Sequence, residues 1–181
     1  MRIKRAAWPC GALAALLVSP LAAQETLVTF KMLAPDVALK MAQAALESCR
    51  ADNYQVAVAV VDRMGVTQVM LRDRFAGAHT PDSAARKAAT AVSFRSDTLT
   101  LAGNSAPDSP HSGARFLDGI LMLGGGIPVS AAGSVVGGIG VAGAPTSSDD
   151  HACAPVSYTH LRAHETTSLI SYAVFCLKIG G

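Results

Sequence analysis

The stretch VAVAVVDRMGVTQVMLRD, residues 56–73, decides the fold because it predicts a buried strand that turns directly into a second one. Its first six residues are apolar on both faces, which is typical of a central strand, and Arg63-Met64-Gly65 provides the turn. A second hairpin is predicted where IPVSA, residues 127–131, and VVGGIGVAGA, residues 135–144, flank a glycine-containing turn. Each hairpin contributes two antiparallel strands to a sheet.

Helical patterns surround the two hairpins. An apolar face with helical spacing runs through residues 35–51, before the first hairpin. Thr80 is the expected N-cap of a second helix that ends near residue 94, and Ser147 with Asp150 predicts the capped start of a third. Helices that alternate with hairpins indicate an α+β domain with an antiparallel sheet rather than a doubly wound α/β fold.

The two ends of the 181-residue chain differ from this central part. Residues 1–23 combine a basic start, a short apolar stretch and small residues, which is the pattern of a secretory signal peptide. The apolar stretch is too short for a spanning helix, so no membrane association is expected after cleavage. Residues 155–181 resemble translated adapter or vector read-through, and we predict that they are not native. The predicted domain spans residues 24–154 and is expected in the periplasm or outside the cell.

The charge distribution excludes a nucleic-acid-binding protein. The chain has 15 basic and 13 acidic residues, but three of the basic ones lie within the first five residues. Without the signal peptide, 12 basic residues stand against 13 acidic ones, and they do not give the clustered basic face that nucleic-acid binding needs.

Two motifs suggest ligand chemistry that the rest of the sequence does not support. Gly138, Gly140 and Gly143 match the spacing of a dinucleotide-binding loop, but they lie inside a predicted strand rather than between a strand and a helix. Close packing of small residues, or the near approach of a ligand, explains them better. His160 and His164 have the spacing of a helical metal site, but they lie in the tail and lack a cysteine pair.

A polar cluster surrounds the start of the second predicted helix. Its members are Arg72, Asp73, Arg74, His79, Thr80, Arg86 and Lys87. His79 directly precedes the helix, where backbone N–H groups attract anions, so the cluster is either an anion site or a capped helix with a solvated basic face. His111 lies in a predicted polar loop over residues 103–115, and Met122 lies in a short apolar run that is typical of a core.

These segments resemble a known family. VAVAVVDRMGV, LRDRFAGAHTPDSAARKAATAVSF and LGGGIPVSAAGSVVGGIGVAGA, followed by SSDDHACA, are similar in content and order to the GlcG/HbpS family of haem-binding proteins. The same module forms the C-terminal domain of some PduO proteins. The resemblance covers about residues 33–154, which is nearly all of the predicted domain.

The resemblance implies a fold and an assembly. The fold is a profilin-like sandwich, with helices flanking an antiparallel sheet of about five strands, and family members often form homo-oligomers. The resemblance also places the first and last helices on the same side of the sheet. It therefore implies a disulfide between Cys49 and Cys153, for which the sequence alone leaves pairing and two free thiols equally open.

Haem is the cofactor that the resemblance implies. Because imidazole is a common ligand of haem iron, we expect His79 to be the iron ligand, with His111 as the second candidate and Met122 as the third. The basic residues expected to bind the haem propionates are Arg72, Arg86 and Lys87. Many relatives carry an aromatic residue where this chain has Ala89, which argues against a pocket built on a stacking ring.

Two classes of function follow. The first is an exported haem-binding protein for storage, scavenging or sensing. The second is a small-molecule module that binds or acts on a short hydroxy-acid such as glycolate, with the carboxylate held at the helix start near Thr80. No residue pattern resembles a nucleophile beside its base, which favours a binding protein over an enzyme.

Overall fold

Valine and alanine alternate along the first predicted strand, and in the structure this segment is buried on both faces. The structure is a computed structural model that describes residues 28–131 and 133–154. Its helices and strands are, in chain order, α1 (Pro35–Ala51), β1 (Ala57–Asp62), β2 (Thr67–Arg72), α2 (Thr80–Phe94), α3 (Thr98–Asn104), β3 (Gly126–Ala131), β4 (Ser134–Ala142) and α4 (Ser147–Cys153). A 3-10 turn at Ser112–Phe116 lies between α3 and β3. The predicted signal peptide, the C-terminal tail and its two histidines lie outside the described residues.

The strands form one antiparallel sheet in the order β2-β1-β4-β3. β1 and β4 are the central pair, with Ala57 opposite Ala142 and Val61 opposite Gly138. The predicted α+β class with an antiparallel sheet is confirmed. The described residues form four strands rather than about five, because the two hairpins account for all four and only the resemblance implied a fifth.

The two long helices cover opposite faces of this sheet. Side chains of successive strand residues point to opposite faces, so the two sets along β1 meet different partners. Val58 and Val60 pack in the same cluster as Met41 of α1. On the other face, Ala59 packs with Ala84 of α2. This arrangement of a sheet between helices confirms the predicted sandwich.

Glycines in β4 allow α2 to lie directly on the sheet. A Cβ atom added at Gly140 would overlap the carbonyl oxygen of Ala84, and one added at Gly138 would lie 2.6 Å from Cγ2 of Val92. Both contacts are with α2, so a side chain at either position would force the helix away from the strand. The glycine motif therefore serves close packing, which is one of the two interpretations that the sequence left open.

Two helix starts lie one residue from their predicted positions. α2 begins at Thr80, so its N-cap is His79 and not Thr80, because a turn closed by the Thr80 amide and the Gly77 carbonyl (3.1 Å) leads directly into the helix. α4 has its capping box at Thr146 and Asp149 rather than at Ser147 and Asp150. The reason is that Thr146 adopts the extended backbone that an N-cap needs.

The predicted polar loop over residues 103–115 contains more regular structure than the sequence suggested. α3 occupies residues 98–104, and the 3-10 turn begins at Ser112. Asp97 caps α3, because its carboxylate accepts a hydrogen bond from the amide of Thr100 at 2.8 Å. This Asp-x-x-Thr pattern is a sequence signal for the start of α3, and the prediction of a loop did not include it.

The disulfide implied by the family resemblance is present in the structure. Cys49 near the end of α1 is bonded to Cys153 at the end of α4, with 5.3 Å between their Cα atoms. Both cysteines are buried among the side chains that α1 packs onto the sheet. The bond therefore ties the last described helix to the first one.

Reduction of this disulfide is expected to lower the free energy of unfolding by about 2–4 kcal/mol, because it releases a constraint on a loop of 104 residues in the unfolded chain. The measurement is chemical denaturation with and without a thiol reductant, alongside a Cys49→Ala/Cys153→Ala variant that should match the reduced protein. Equal stability of the oxidised and reduced proteins would contradict the expectation.

Candidate functional site

The first predicted site residues, His79 and Thr80, lie at the start of α2. The His79 side chain is exposed and makes no capping hydrogen bond. Thr80 is buried, and its hydroxyl donates to the carbonyl of Gly77 at 2.8 Å. The histidine is therefore accessible at the surface, whereas the threonine hydroxyl is engaged within its own turn.

Two arginines of the predicted cluster hold neighbouring loops. Arg72 donates from Nη1 to the carbonyl of Ala76 at 2.6 Å, which closes the loop that leads to α2. Arg86 donates from Nη2 to the carbonyl of Ile120 at 3.0 Å. Its contact with Asp82 is 3.8 Å long and mostly exposed, so this ion pair contributes little.

Lys87 does not lie on a solvated face. Its side chain is 3% exposed, and its ammonium contacts the carboxylate of Asp150 at 2.7 Å and the carbonyl of Val141 at 3.0 Å. Burial raises the pKa of the Asp150 carboxyl, although the hydrogen bond and the charge of Lys87 act in the opposite direction. Lys87 thus joins α2 to α4 inside the domain, and the cluster expected from the sequence is divided between the surface and the core.

The other two candidate ligands, His111 and Met122, meet in one cavity. This cavity has a volume of about 410 Å³ and lies between the end of α2, α3 and the loop that contains the 3-10 turn. Its apolar wall includes Phe94, Leu101 and Ala114, and Met122 is buried. The sequence does not indicate that the histidine and the methionine share a cavity, because ten residues lie between them and no periodic pattern relates the two.

His79 and the His111 cavity lie at opposite ends of α2. The cavity includes Phe94 at the helix C-terminus, and His79 directly precedes the N-terminus. Fifteen residues of α-helix separate these two positions, which corresponds to about 22 Å along the axis. The structure therefore does not bring the first two predicted iron ligands together.

Side-chain hydrogen bonds hold the loop that carries His111. Arg115 donates from Nε to the carbonyl of Ser105 and from Nη2 to the carbonyl of Ala102. The hydroxyl of Ser109 accepts from the His111 amide at 3.1 Å. These bonds fasten the loop to α3 and fix the backbone beside the imidazole.

A second and larger cavity, of about 710 Å³, lies at the turn end of the β3–β4 hairpin, beside the turn between β1 and β2. Arg63, Arg95 and Asp118 line it, together with Ala89. No histidine or cysteine is among the described residues of its wall. The larger cavity therefore offers two guanidinium groups to an anion, and a single carboxylate, that of Asp118, to a metal.

The described part of the chain contains neither a cluster of metal-binding side chains nor a helix that could cross a membrane. Within residues 28–131 and 133–154, no three histidine, cysteine or acidic side chains come close enough to hold a metal ion. No helix in the same residues has the length and apolarity to cross a membrane. A cofactor that needs only one or two protein ligands remains compatible with the cavity at His111.

Comparison with known proteins identifies the family. A family model described as "Haem degrading protein HbpS-like" matches residues 33–157. The chain belongs to the HbpS-like family. A relative from Citrobacter freundii, an uncharacterised 15.0 kDa protein of the dhaT-dhaS intergenic region, is 33% identical over 114 residues, which cover 62% of this chain and 80% of the relative.

Solved structures share the HbpS-like fold. A double mutant of HbpS from Streptomyces reticuli is 39% identical with a TM-score of 0.72, and the match covers 87% of this chain and 99% of the other. The complex of PduOC with haem is 24% identical with a TM-score of 0.65, and the match covers 71% and 94% of the two chains. The resemblance to the GlcG/HbpS family is thereby confirmed, and so is its fold.

The residues of this HbpS-like domain fit haem at one cavity. A haem site needs an iron ligand in a mainly apolar wall that keeps water from the macrocycle. The cavity at the end of α2 offers the imidazole of His111 and the thioether of Met122 beside aromatic and aliphatic side chains. The larger cavity offers arginines without such a ligand.

Proposed function

We propose that this protein is an exported haem-binding protein that stores, scavenges or senses haem. The observation that carries the proposal is the mainly apolar cavity that both the imidazole of His111 and the thioether of Met122 line. Membership of a family whose description names haem supports the same ligand. A fold shared with a protein whose complex with haem has been solved is consistent with it.

The chain supplies binding and orientation, and haem supplies the iron chemistry when it is bound. Phe94 and Leu101 give the macrocycle an apolar surface. His79, which the sequence favoured as the iron ligand, stays a candidate that the variants described below test. Arg72 and Arg86 stay candidates for the propionates, whereas the ammonium of Lys87 is buried against the Asp150 carboxylate and is not free for one.

A titration of the purified protein with haemin tests the proposal. We expect a saturable Soret shift with about one haem per chain, because the cavity presents one imidazole in an apolar wall. A shift that does not saturate would overturn haem binding. The hydroxy-acid module would then become the working hypothesis, and calorimetric titration with glycolate would test it.

The family description also names haem degradation, so the loaded protein is followed over time with ascorbate and oxygen. We expect the Soret band of the bound haem to persist, because the proposed role is binding without turnover. A protein-dependent loss of the band would show that the protein degrades haem and would contradict storage.

Export and self-association complete the proposal. The Cys49–Cys153 disulfide is compatible with an oxidising compartment, which supports export of the domain. Phe75 and Phe116 are 79% and 85% exposed, and such apolar side chains favour contacts between copies of the chain. N-terminal sequencing of the secreted protein should begin near Gln24, and light scattering should give a homo-oligomer. An uncleaved cytoplasmic monomer would contradict both expectations.

A further inference from the structure

One histidine, His111, lines the mainly apolar cavity at the end of α2. We propose that haem binds in this cavity with His111 as its iron ligand, an inference that rests on the proposed haem-binding function. It differs from the sequence-based expectation, which favoured His79. The two histidines differ in the chemistry of their surroundings and in how each one is held.

The lining of the cavity suits a porphyrin. Phe94, Leu101, Pro110, Ala114 and Met122 are apolar, and the remaining described wall residues are small or neutral. No acidic side chain is among the described residues that line it, so nothing there repels the propionates. A polarizable thioether beside the macrocycle adds favourable contact with an aromatic ring system.

Hydrogen bonds of its backbone hold His111 in place, and they leave its imidazole ring available to bind a metal. Its amide donates to the hydroxyl of Ser109, and its carbonyl accepts from the amide of Ala114 at 3.1 Å. The side chain is exposed and lines the cavity, and its ring makes no hydrogen bond with another described residue. A ligand held by its main chain in this way loses little conformational entropy when it binds a metal.

His79 has a different environment. It lies on an exposed turn, where its ring packs over Gly77: a Cβ atom built there would be 2.7 Å from Cε1 of the ring. It lines neither of the two described cavities. Neither of these cavities would shield a haem bound to His79 from water.

Haemin titrations of the full protein and three variants test the inference. His111→Ala should weaken haem binding roughly tenfold or more, with a changed Soret maximum for the residual complex. Free imidazole should restore the original maximum, because it can occupy the space left by the side chain. Ala114→Trp keeps the histidine but fills the cavity, and it should also weaken binding. His79→Ala should bind haem like the original protein, and circular dichroism checks that each variant is folded.

The outcomes separate the inference from the proposed function. Loss of binding in His111→Ala and Ala114→Trp, with rescue by imidazole, supports both. Saturable binding that survives His111→Ala but is lost in His79→Ala overturns the cavity site and leaves haem binding in place. Absence of saturable binding in the unaltered protein overturns the proposed function itself.

Discussion

Replacing Gly140 with valine is expected to lower the free energy of unfolding by about 4 kcal/mol or more, which is enough to unfold many domains of this size. The reason is that the new Cβ would overlap the Ala84 carbonyl oxygen and lie 2.8 Å from the amide nitrogen of Ala88. Both are backbone atoms of α2, so no side-chain rotation relieves the clash. Chemical denaturation of the variant measures the loss.

A matched glycine substitution controls for this result. Gly103 lies in α3, and a Cβ atom added there meets no atom within 4 Å. Gly103→Ala should therefore change the stability by less than about 1 kcal/mol, and in the stabilising direction, because alanine favours a helix more than glycine does. Equal losses at Gly103 and Gly140 would contradict the packing argument.

Lys87→Met is expected to lower the free energy of unfolding by about 3–5 kcal/mol, because it leaves the carboxylate of Asp150 buried without its cation. The Asp150 side chain is 6% exposed and also accepts a hydrogen bond from the Ala144 amide at 2.8 Å. The double variant Lys87→Met/Asp150→Asn removes the charge but keeps an acceptor for Ala144. It should be more stable than Lys87→Met alone, as measured by denaturation of both.

The loss in the free energy of unfolding that Lys87→Met causes should also depend on pH. Burial already raises the pKa of the Asp150 carboxyl above its ordinary value of 3.8, and loss of the ammonium removes the main opposing influence. A carboxyl whose pKa is higher in the folded state destabilises the fold when ionised, and protonation relieves this cost as the pH falls through the folded value. The difference from the original protein should therefore narrow at acidic pH. A constant difference would show that lost packing, rather than charge, is responsible.

The sheet and its two covering helices could be predicted because their signals are local. The apolar run of residues 56–61 indicates a central strand that is covered on both faces, and the glycines at 138 and 140 indicate close packing or the near approach of a ligand. α3 was missed because seven residues give a weak helical pattern. Its main sequence signal is a single cap at Asp97.

The sequence indicated which residues could form the site, but not how the fold arranges them. Lys87 looked like a surface cation because its partner, Asp150, lies 63 positions away, and no local pattern reports such a contact. His111 and Met122 were both candidate ligands, but their meeting depends on the path of a loop that Arg115 fastens to α3. Long-range pairing and loop geometry are the information that one sequence does not display.

The central position of β4 has a consequence for the time at which the protein can fold. β1 lies next to β4 in the sheet, although more than seventy residues separate them in the chain. During synthesis the first hairpin can form early, but its inner edge stays open until β4 leaves the ribosome, and the partner of Cys49 follows later still. A chain built in this order cannot close its sheet until β4 has been made, and its disulfide cannot form until α4 follows, which is compatible with the export proposed above.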